Sequence, residues 1–341
     1  MASAPKALTA PPALTPPADA IRVGRRRDRV GSWPLVDRVA FGLCWVVGVG
    51  LCAVTAAMVL FMLVKGVSYL SLHLLVTHPD AAPDQAHSGG ILDPIEGTLL
   101  LTAVGMVIAA PLGVAVAVWL SEHQRPAWLA RLVESSVEMI AGAPSVLLAF
   151  FGLILFARPA LAFLSQTSAG GSVFGKSFLT AGAIMSLIAL PLVVAATREA
   201  LTQVPAHARE ASYALGKTKA TTIRRVLLPS VRPNIASGIT LGMGRIIGDT
   251  AIVVILLGAT LRLEGAGGPP ILSTLRGTGV TLTSYVLSNS PAGEGDAHEK
   301  AYAAAFVLLA LVLILNVLAL RFNSTGVKDR RGWWRRRVWI R

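Results

Sequence analysis

The sequence is short of charged residues and of cysteine, and both shortages limit what the chain can be. Only 14% of its 341 residues are charged, whereas 54% are hydrophobic and the mean hydropathy is +0.64. A water-soluble domain this apolar would aggregate, so a soluble protein is excluded. The two cysteines, Cys44 and Cys52, lie about 12 Å apart along one predicted helix, too far for a disulfide within it. Both are interpreted as small packing residues.

The hydrophobic residues gather in six stretches, each long enough to cross a hydrocarbon core of roughly 30 Å as a helix. The stretches are Val39–Val64, Gly97–Leu120, Ser136–Ala157, Phe178–Thr197, Ile235–Thr260 and Ala301–Leu320. Lipid cannot satisfy backbone hydrogen bonds, and these runs lack the alternation that is typical of barrel strands. We therefore predict an all-α membrane protein with six transmembrane helices.

The basic residues predict how the chain is oriented in the membrane. With a cytoplasmic N-terminus, 24 of the 31 Lys and Arg residues fall in inner segments and six in outer ones. The inner segments are then 1–38, 121–133, 198–232 and the tail from Arg321. Because inner loops carry the excess of Lys and Arg, we expect both termini in the cytoplasm. The net charge of +13 then reflects topology and attraction to membrane lipids. Nucleic-acid binding is the weaker interpretation of the same charge.

The two ends of the chain differ in composition from the spans. Residues 1–38 begin with an Ala- and Pro-rich run and are expected to be a disordered, basic cytoplasmic segment. The stretch over 39–64 exceeds the apolar core of a signal peptide, so it is expected to be a retained first helix. An external loop should follow over 65–96. The tail over 323–341 mixes Trp with Arg and is expected to lie at the cytoplasmic headgroups, with a solvated tail as the alternative.

Residues 170–177 read GGSVFGKS and match the pattern of a phosphate-binding P-loop. A P-loop binds phosphates only between a strand and a helix of a soluble α/β domain, because its backbone amides must surround them. Here the match falls in a short loop that we predict to be external, where ATP is absent. No apolar strand ending in Asp follows to complete a magnesium site. ATP binding by this loop is therefore rejected.

Nothing in the sequence indicates catalysis or a built metal site. The six histidines are scattered, and no pair has the i, i+4 spacing with an intervening Glu that binds zinc. His73 and His78, in the first outer loop, would form at most a weak metal site and are interpreted as solvated loop residues. No G-x-S-x-G sequence marks a nucleophile. We expect a non-enzymatic chain with no metal or cofactor of its own.

Two charged residues fall inside the fifth apolar stretch. Arg245 lies near its middle, and Asp249 follows at i+4 on the same face of a continuous helix. A charge at this depth normally faces the bundle interior and has a partner or a function. Either the two form a structural ion pair, or Arg245 attracts an oxyanion and Asp249 accepts a hydrogen bond from a protonated phosphate oxygen. Asp249 would repel sulfate, which carries no proton at neutral pH.

Small residues surround these two charges in two rows at helical spacing. Gly238 and Gly242 form one row, and Gly244 and Gly248 form the other. Rows of this kind let a neighbouring helix approach closely, often a helix of another subunit.

The basic segment between the fourth and fifth stretches carries a spaced motif. Its positions are Glu210, Ala211, Gly216, Val226, Leu228 and Pro229. The spacing resembles the EAA loop through which permeases of ABC importers contact their ATPase. The resemblance implies a first coupling helix from Glu210, ended by Gly216, and a second helix that reaches Pro229 and leads into the fifth span. An ordinary amphipathic hairpin is the alternative.

Other segments resemble, more specifically, the paired phosphate permeases of the PstA and PstC type. The run Gly244–Ala251 is similar to their G/A-R-x-x-G-E-T segment, with Asp249 in place of the Glu, and Ala251 favours the PstA type. Further matching segments are Gly89–Ile91, Gly97–Leu99, Ala110–Gly113, Leu120–Glu122, Gly142–Val146 and Ala189–Leu192. The resemblance implies the type I ABC importer permease fold, with a core permease domain over 97–322 that holds five spans and the EAA loop over 198–232.

What the resemblance implies is the permease subunit of an ATP-driven importer of inorganic phosphate, in the plasma membrane of a bacterium. Its implied partners are a PstC-type permease, a PstB-type ATPase dimer that binds ATP and Mg²⁺, and a PstS-type phosphate-binding protein. Three alternatives stay open. They are a secondary or channel-like anion transporter, an ABC permease for another oxyanion such as sulfate or molybdate, and a membrane anchor that senses phosphate. Secondary transporters usually contain inverted repeats, and no convincing duplication occurs in this chain.

Overall fold

The computed structural model describes residues 34–79, 89–123, 125–165, 174–258, 270–291, 293 and 297–337, and these residues are almost entirely helical. In chain order the helices are α1 (Leu35–Gly66), α2 (Leu72–Val76), α3 (Leu92–Glu122), α4 (Ala127–Gly142), α5 (Ser145–Phe156), α6 (Phe178–Thr202), α7 (Ala206–Ala214), α8 (Lys219–Thr222), α9 (Leu228–Gly248), α10 (Ala251–Leu256), α11 (Pro270–Arg276), α12 (Leu282–Asn289) and α13 (His298–Arg337). A 3₁₀ turn covers Pro159–Leu164, and a π-helical turn covers Ile223–Leu227. Most of the predicted disordered segment (1–33) and the end of the predicted tail (338–341) lie outside the described residues.

Within the described residues, four helices are long and apolar enough to cross a membrane, and they confirm four of the six predicted spans. They are α1, α3, α6 and the part of α13 from His298 to Ala319. The bent pair formed by α4 and α5 raises the number to five if it counts as one span. The predicted all-α membrane fold is thereby confirmed.

The prediction of a single third span over Ser136–Ala157 is wrong, because the chain turns sharply inside it. The axes of α4 and α5 differ by 109°. Pro144 lies in the break and disfavours helical geometry at the residue before it, and Ala143 is accordingly extended, with ψ 134°. The two short helices therefore form a broken span or a re-entrant hairpin.

The prediction of a single fifth span over Ile235–Thr260 is also wrong. α9 begins earlier, at Leu228, and ends at Gly248. Asp249 is extended (φ −86°, ψ 120°), and α10 starts two residues later. The Asp249 carboxylate accepts a hydrogen bond from the Ile252 N–H at 3.1 Å. Such local side-chain bonds compete with continuation of a helix, which accounts for the break.

The chain divides into two units at Met58. The described part of the first unit is the beginning of α1, whose side chains are exposed along residues 34–58. In the second unit α3, α6 and α9 form the main core, and α5 and α10 pack beside them. Its buried side chains include Met106, Ala149, Met185, Val193, Ile246 and Leu256.

A second apolar cluster joins α2, the start of α3, α12 and α13. Its buried members include Leu74, Ile91, Leu282, Tyr285 and Ala303. The Leu282 N–H donates to Thr98 Oγ1 at 2.9 Å, which fixes the start of α12 against α3. Gly97 permits this approach, since a Cβ at this position would lie 2.1 Å from the Val280 carbonyl oxygen.

We expect Gly97→Ala to destabilise the fold by about 1–3 kcal/mol, because a backbone atom must move to admit the methyl group. Thermal unfolding of the purified chain in detergent measures the loss. Gly48→Ala is the matched control, since a Cβ at Gly48 meets nothing within 4 Å. Equal unfolding temperatures for the two variants would contradict the close packing at Gly97.

Candidate functional site

The first half of the predicted coupling element is α7 followed by a tight turn. Gly216 has a positive φ of 70°. Its N–H donates to the Tyr213 carbonyl at 2.9 Å, and the Lys217 N–H donates to the Ser212 carbonyl at 3.2 Å. These two bonds are the Schellman arrangement that ends helices at glycine. Gly216 ends this helix as predicted, although α7 begins at Ala206 and not at Glu210.

The second half of the element runs without interruption into α9. The Thr218 side chain caps α8 by accepting from the Thr221 N–H. In the π-helical turn the Leu228 N–H donates to the Ile223 carbonyl, five residues back. Pro229 explains the widening, because it has no N–H and its ring crowds the carbonyl of Arg225. The predicted second helix is therefore seen as α8 and the π-helical turn, and Pro229 lies in the first turn of α9.

The motif positions differ in exposure. Glu210, Ala211 and Gly216 are exposed, whereas Val226, Leu228 and Pro229 are half-buried where the element meets the core. Two apolar side chains beside the first group are also exposed, Tyr213 at 43% and Leu215 at 77%. Glu210 makes no side-chain hydrogen bond or ion pair within the described part of the chain. This surface offers a free carboxylate and apolar contacts to something outside the chain.

Sequence reasoning missed two residues that hold the coupling element in place. Arg209, directly before the motif, is bonded to Glu122, and Lys219 donates to the Glu122 backbone carbonyl. Glu122 is the last residue of α3. An acid at a helix C-terminus is unfavourable by itself, so it signals a nearby cation. That signal is readable from the sequence, but the identity of the cation is not.

Arg245 lies on the open face of α9. Exposed residues recur along that face at helical spacing: Asn234, Ser237, Leu241, Arg245 and Gly248. Among the described residues none forms a hydrogen bond or ion pair with the Arg245 side chain. The guanidinium is therefore free to meet a ligand or another chain.

The two glycine rows of α9 face different surroundings. A Cβ at Gly238 would lie 2.8 Å from the Ala196 Cβ, and one at Gly242 would lie 3.4 Å from the Ala189 Cβ, so this row packs on α6. At Gly244 and Gly248 an added Cβ meets nothing within 4 Å. Only the second row is left for a neighbour outside the described residues.

Asp249 is not paired with Arg245, and the prediction that both lie on one face of a continuous helix is wrong. The helix ends at Gly248, between the two residues. Asp249 is 5% exposed, and its Oδ1 accepts from the Ile252 N–H at the start of α10. Its observed contact is that of a helix cap.

The P-loop-like segment is a helix start. Gly170 and the three residues after it lie outside the described residues, and Gly175 has a φ of 68°. The Ser177 hydroxyl donates to the Leu164 carbonyl at 2.7 Å and accepts from the Thr180 N–H at 3.1 Å. Ser177 is fully buried as the cap of α6. It is therefore engaged as a cap rather than presented to a magnesium ion.

The first outer loop places His78 beside a carboxylate. Its Nδ1 lies 2.6 Å from Asp93 Oδ1, and Asp93 is buried at the start of α3. Within the described residues no group of three or more His, Cys, Asp or Glu side chains is placed to hold a metal ion. His78 is thus part of a polar contact that fixes the loop.

The sequence of this chain matches a known transport family. The chain belongs to the family of binding-protein-dependent transport system inner membrane components, whose model matches residues 109–325. Such a chain is the membrane-spanning permease component of a transport system, and membership implies an ATPase and a binding protein as partners.

Relatives of the chain include permeases from two bacteria. It is 31% identical over 249 residues to the phosphate transport system permease protein PstA 1 of Mycobacterium tuberculosis, covering 73% of this chain and 74% of that protein. It is 32% identical over 203 residues to the phosphate transport system permease protein PstC of Pasteurella multocida, covering 54% of this chain and 62% of that protein. The family predicted from the sequence is confirmed.

Among solved structures, the fold resembles a chain of the MetNI methionine ABC transporter in an inward-facing conformation. The TM-score is 0.53 at 21% identity, over 70% of this chain and 96% of that chain. At this identity the likeness concerns the fold alone. The predicted type I ABC importer permease fold is confirmed.

We expect Asp249→Ala to lower the stability by about 0.5–2 kcal/mol, since the cap of α10 is lost. Asp249→Asn should lower it less, because the amide oxygen can still accept from the Ile252 N–H. Thermal unfolding in detergent compares the two variants. Equal losses would show that the negative charge, and not the cap, stabilises the break.

Proposed function

We propose that this chain is the permease subunit of an ATP-driven importer of inorganic phosphate, in the plasma membrane of a bacterium with both termini in the cytoplasm. The family and the PstA- and PstC-named relatives support the substrate. The excess of Lys and Arg in 1–38, 121–133, 198–232 and the tail supports the orientation.

The coupling element is the proposed docking site for the ATPase. Glu210 and Ala211 lie on the exposed side of α7, and Gly216 aims the chain into α8. Val226, Leu228 and Pro229 then join the element to α9. A PstB-type ATPase dimer would bind ATP and Mg²⁺ and displace α7 when it closes, so this chain needs no cofactor of its own.

The open face of α9 is the proposed wall of the phosphate path. The observation that carries the proposal is Arg245, an exposed guanidinium on α9 with no partner among the described residues. A guanidinium offers forked donors that match a tetrahedral oxyanion. A PstC-type permease would face this wall across the path, and a PstS-type binding protein would deliver the phosphate.

Asp249 is proposed to act on the same path as a fixed negative charge, one residue beyond the end of α9. Its carboxylate would accept a hydrogen bond from a protonated phosphate oxygen, and it would repel sulfate, which carries no proton at neutral pH. The cap contact with Ile252 holds the charge in place.

Arg245→Ala should lower phosphate uptake by about 10- to 100-fold, the loss expected for hydrogen bonds from a charged donor. Uptake and ATP hydrolysis are measured in vesicles that contain this chain, its ATPase, the partner permease and the binding protein. Arg131→Ala, which removes an exposed arginine on α4 outside the proposed path, is the matched control and should leave uptake near wild type.

Uptake that proceeds without ATP would overturn the importer in favour of a secondary or channel-like anion transporter. Sulfate or molybdate uptake at the rate of phosphate uptake would instead indicate an ABC permease with a different substrate. If phosphate uptake is unchanged in Arg245→Ala, Arg245 does not contribute to the phosphate path.

Glu210→Ala should weaken binding of the ATPase to this chain and lower ATP-driven uptake by about tenfold, because an exposed charged contact to the partner is lost. Co-purification of the ATPase with the membrane subunits measures the binding. Glu138→Ala, an exposed acid on α4, is the matched control. Identical co-purification of both variants would contradict docking at Glu210.

A further inference from the structure

Arg209 joins α7 to the ends of two spans. Its Nε and Nη2 donate to Oε1 of Glu122 at 3.3 and 3.1 Å. Its Nη1 donates to the Val204 carbonyl and its Nη2 to the Leu201 carbonyl, both at 2.8 Å. Glu122 ends α3, and Leu201 lies in the last turn of α6. One guanidinium therefore holds three helices at a single point.

Both helix ends need the charge that Arg209 supplies. The Glu122 side chain is only 8% exposed and lies at the negative end of α3, where a carboxylate is unfavourable. The Leu201 carbonyl, in the last turn of α6, otherwise accepts from backbone N–H groups just beyond the helix, with the Val204 N–H at 3.4 Å. Arg209 satisfies both groups at once, and its planar fork reaches acceptors on two helices that a lysine ammonium would not bridge in the same way.

Two further contacts connect the same point to α9. Lys219 Nζ donates to the Glu122 backbone carbonyl, and the Ser212 and Thr222 hydroxyls are bonded at 2.8 Å. Because α8 continues through the π-helical turn into α9, the element that holds α3 and α6 is also joined to the helix that carries Arg245.

The two sides of α7 therefore make different contacts. Glu210 and Tyr213 point away from the described chain, whereas Arg209 and Ser212 bind it. We propose that Arg209 and Glu122 form a positioning pair that passes displacement of α7 to α3 and α6. This inference rests on the proposed function, since the displacement comes from the ATPase. Without the pair α7 would still bind the ATPase through Glu210 but would move independently of the spans.

The test uses the complete complex in vesicles with Arg209→Ala, Arg209→Lys and Glu122→Gln. Phosphate imported per ATP hydrolysed should fall about tenfold in Arg209→Ala, as expected for loss of charge-assisted hydrogen bonds. Arg209→Lys should also lower the ratio, because one ammonium cannot serve all three acceptors. Glu122→Gln keeps an acceptor oxygen and should lower it less. The ATPase should co-purify with every variant.

Arg198→Ala is the matched control. Arg198 forms an ion pair with Glu134 that links α6 to α4, with 36% and 38% of the two side chains exposed. The pair lies near the same end of α6 but does not involve α7, and half-exposed pairs contribute little. Its removal should leave the ratio of phosphate to ATP unchanged.

A double variant, Arg209→Ala with Glu122→Ala, separates a working pair from two independent residues. If the residues act together, the double variant should lower the ratio no further than Arg209→Ala alone. If the double variant lowers the ratio by the product of the two single effects, the two residues act independently and the inference is wrong. It is also wrong if Arg209→Ala loses ATPase binding, or if Arg198→Ala lowers the ratio as much as Arg209→Ala does. Should Arg209→Ala fail to fold, the ratio in Glu122→Gln decides, and an unchanged ratio overturns the inference.

The same measurements distinguish this inference from the proposed function. A wild-type complex without phosphate-dependent ATP hydrolysis would remove the importer itself. If the wild-type complex couples ATP hydrolysis to phosphate uptake and the ratio of phosphate to ATP is unchanged in Arg209→Ala and Glu122→Gln, only the proposed role of the pair is wrong.

Discussion

The structure depends on one constraint. The backbone N–H and C=O groups at a helix end have no partner within that helix and must find one elsewhere. Where a helix ends in packed protein, water does not replace the bonds that the helix loses, so other residues must supply them. Ser177 supplies them at the start of α6, Arg209 at its end, and Asp249 at the start of α10. In the sequence, Ser177 falls in the P-loop match and Asp249 lies four residues after Arg245, so both resemble ligand-binding groups, whereas Arg209 carries no such signal. The structure shows that each also holds a helix end.

The placement of these contacts separates the exposed side of α7, which is the proposed docking surface, from the packed helices behind it. α3 and α6 pack along their length, and the contacts of α7 fall where both helices end. A force applied to the exposed side of α7 therefore arrives at helix ends, where a small displacement is least opposed by the packed core. Arg245 lies farther along the polypeptide, on α9, which follows α8 through the π-helical turn.

Hydropathy alone predicts four of the spans, because the length of an apolar run can be read from consecutive residues in the sequence. The break at Ala143 was also within reach, since Pro144 restricts the residue before it. The break at Asp249 was not, because an aspartate ends a helix only where its carboxylate finds a backbone N–H, here that of Ile252. The positions of Glu210 and Gly216 in the coupling element were predicted from the resemblance to the family motif. Arg209 and Glu122 are 87 residues apart, and one sequence does not reveal which cation meets which acid.

The π-helical turn at Ile223–Leu227 has a consequence for the register of everything that follows it. A wider turn holds about one residue more than an α-helical turn, and one residue corresponds to roughly 100° of rotation about the helix axis. The turn therefore sets the azimuth of α9 relative to α8. With a regular α-helix in its place, the side chain at position 245 would swing by about a quarter of a revolution, away from the open face. The direction of the Arg245 side chain thus depends on Pro229, sixteen residues earlier in the chain, which cannot donate a backbone hydrogen bond.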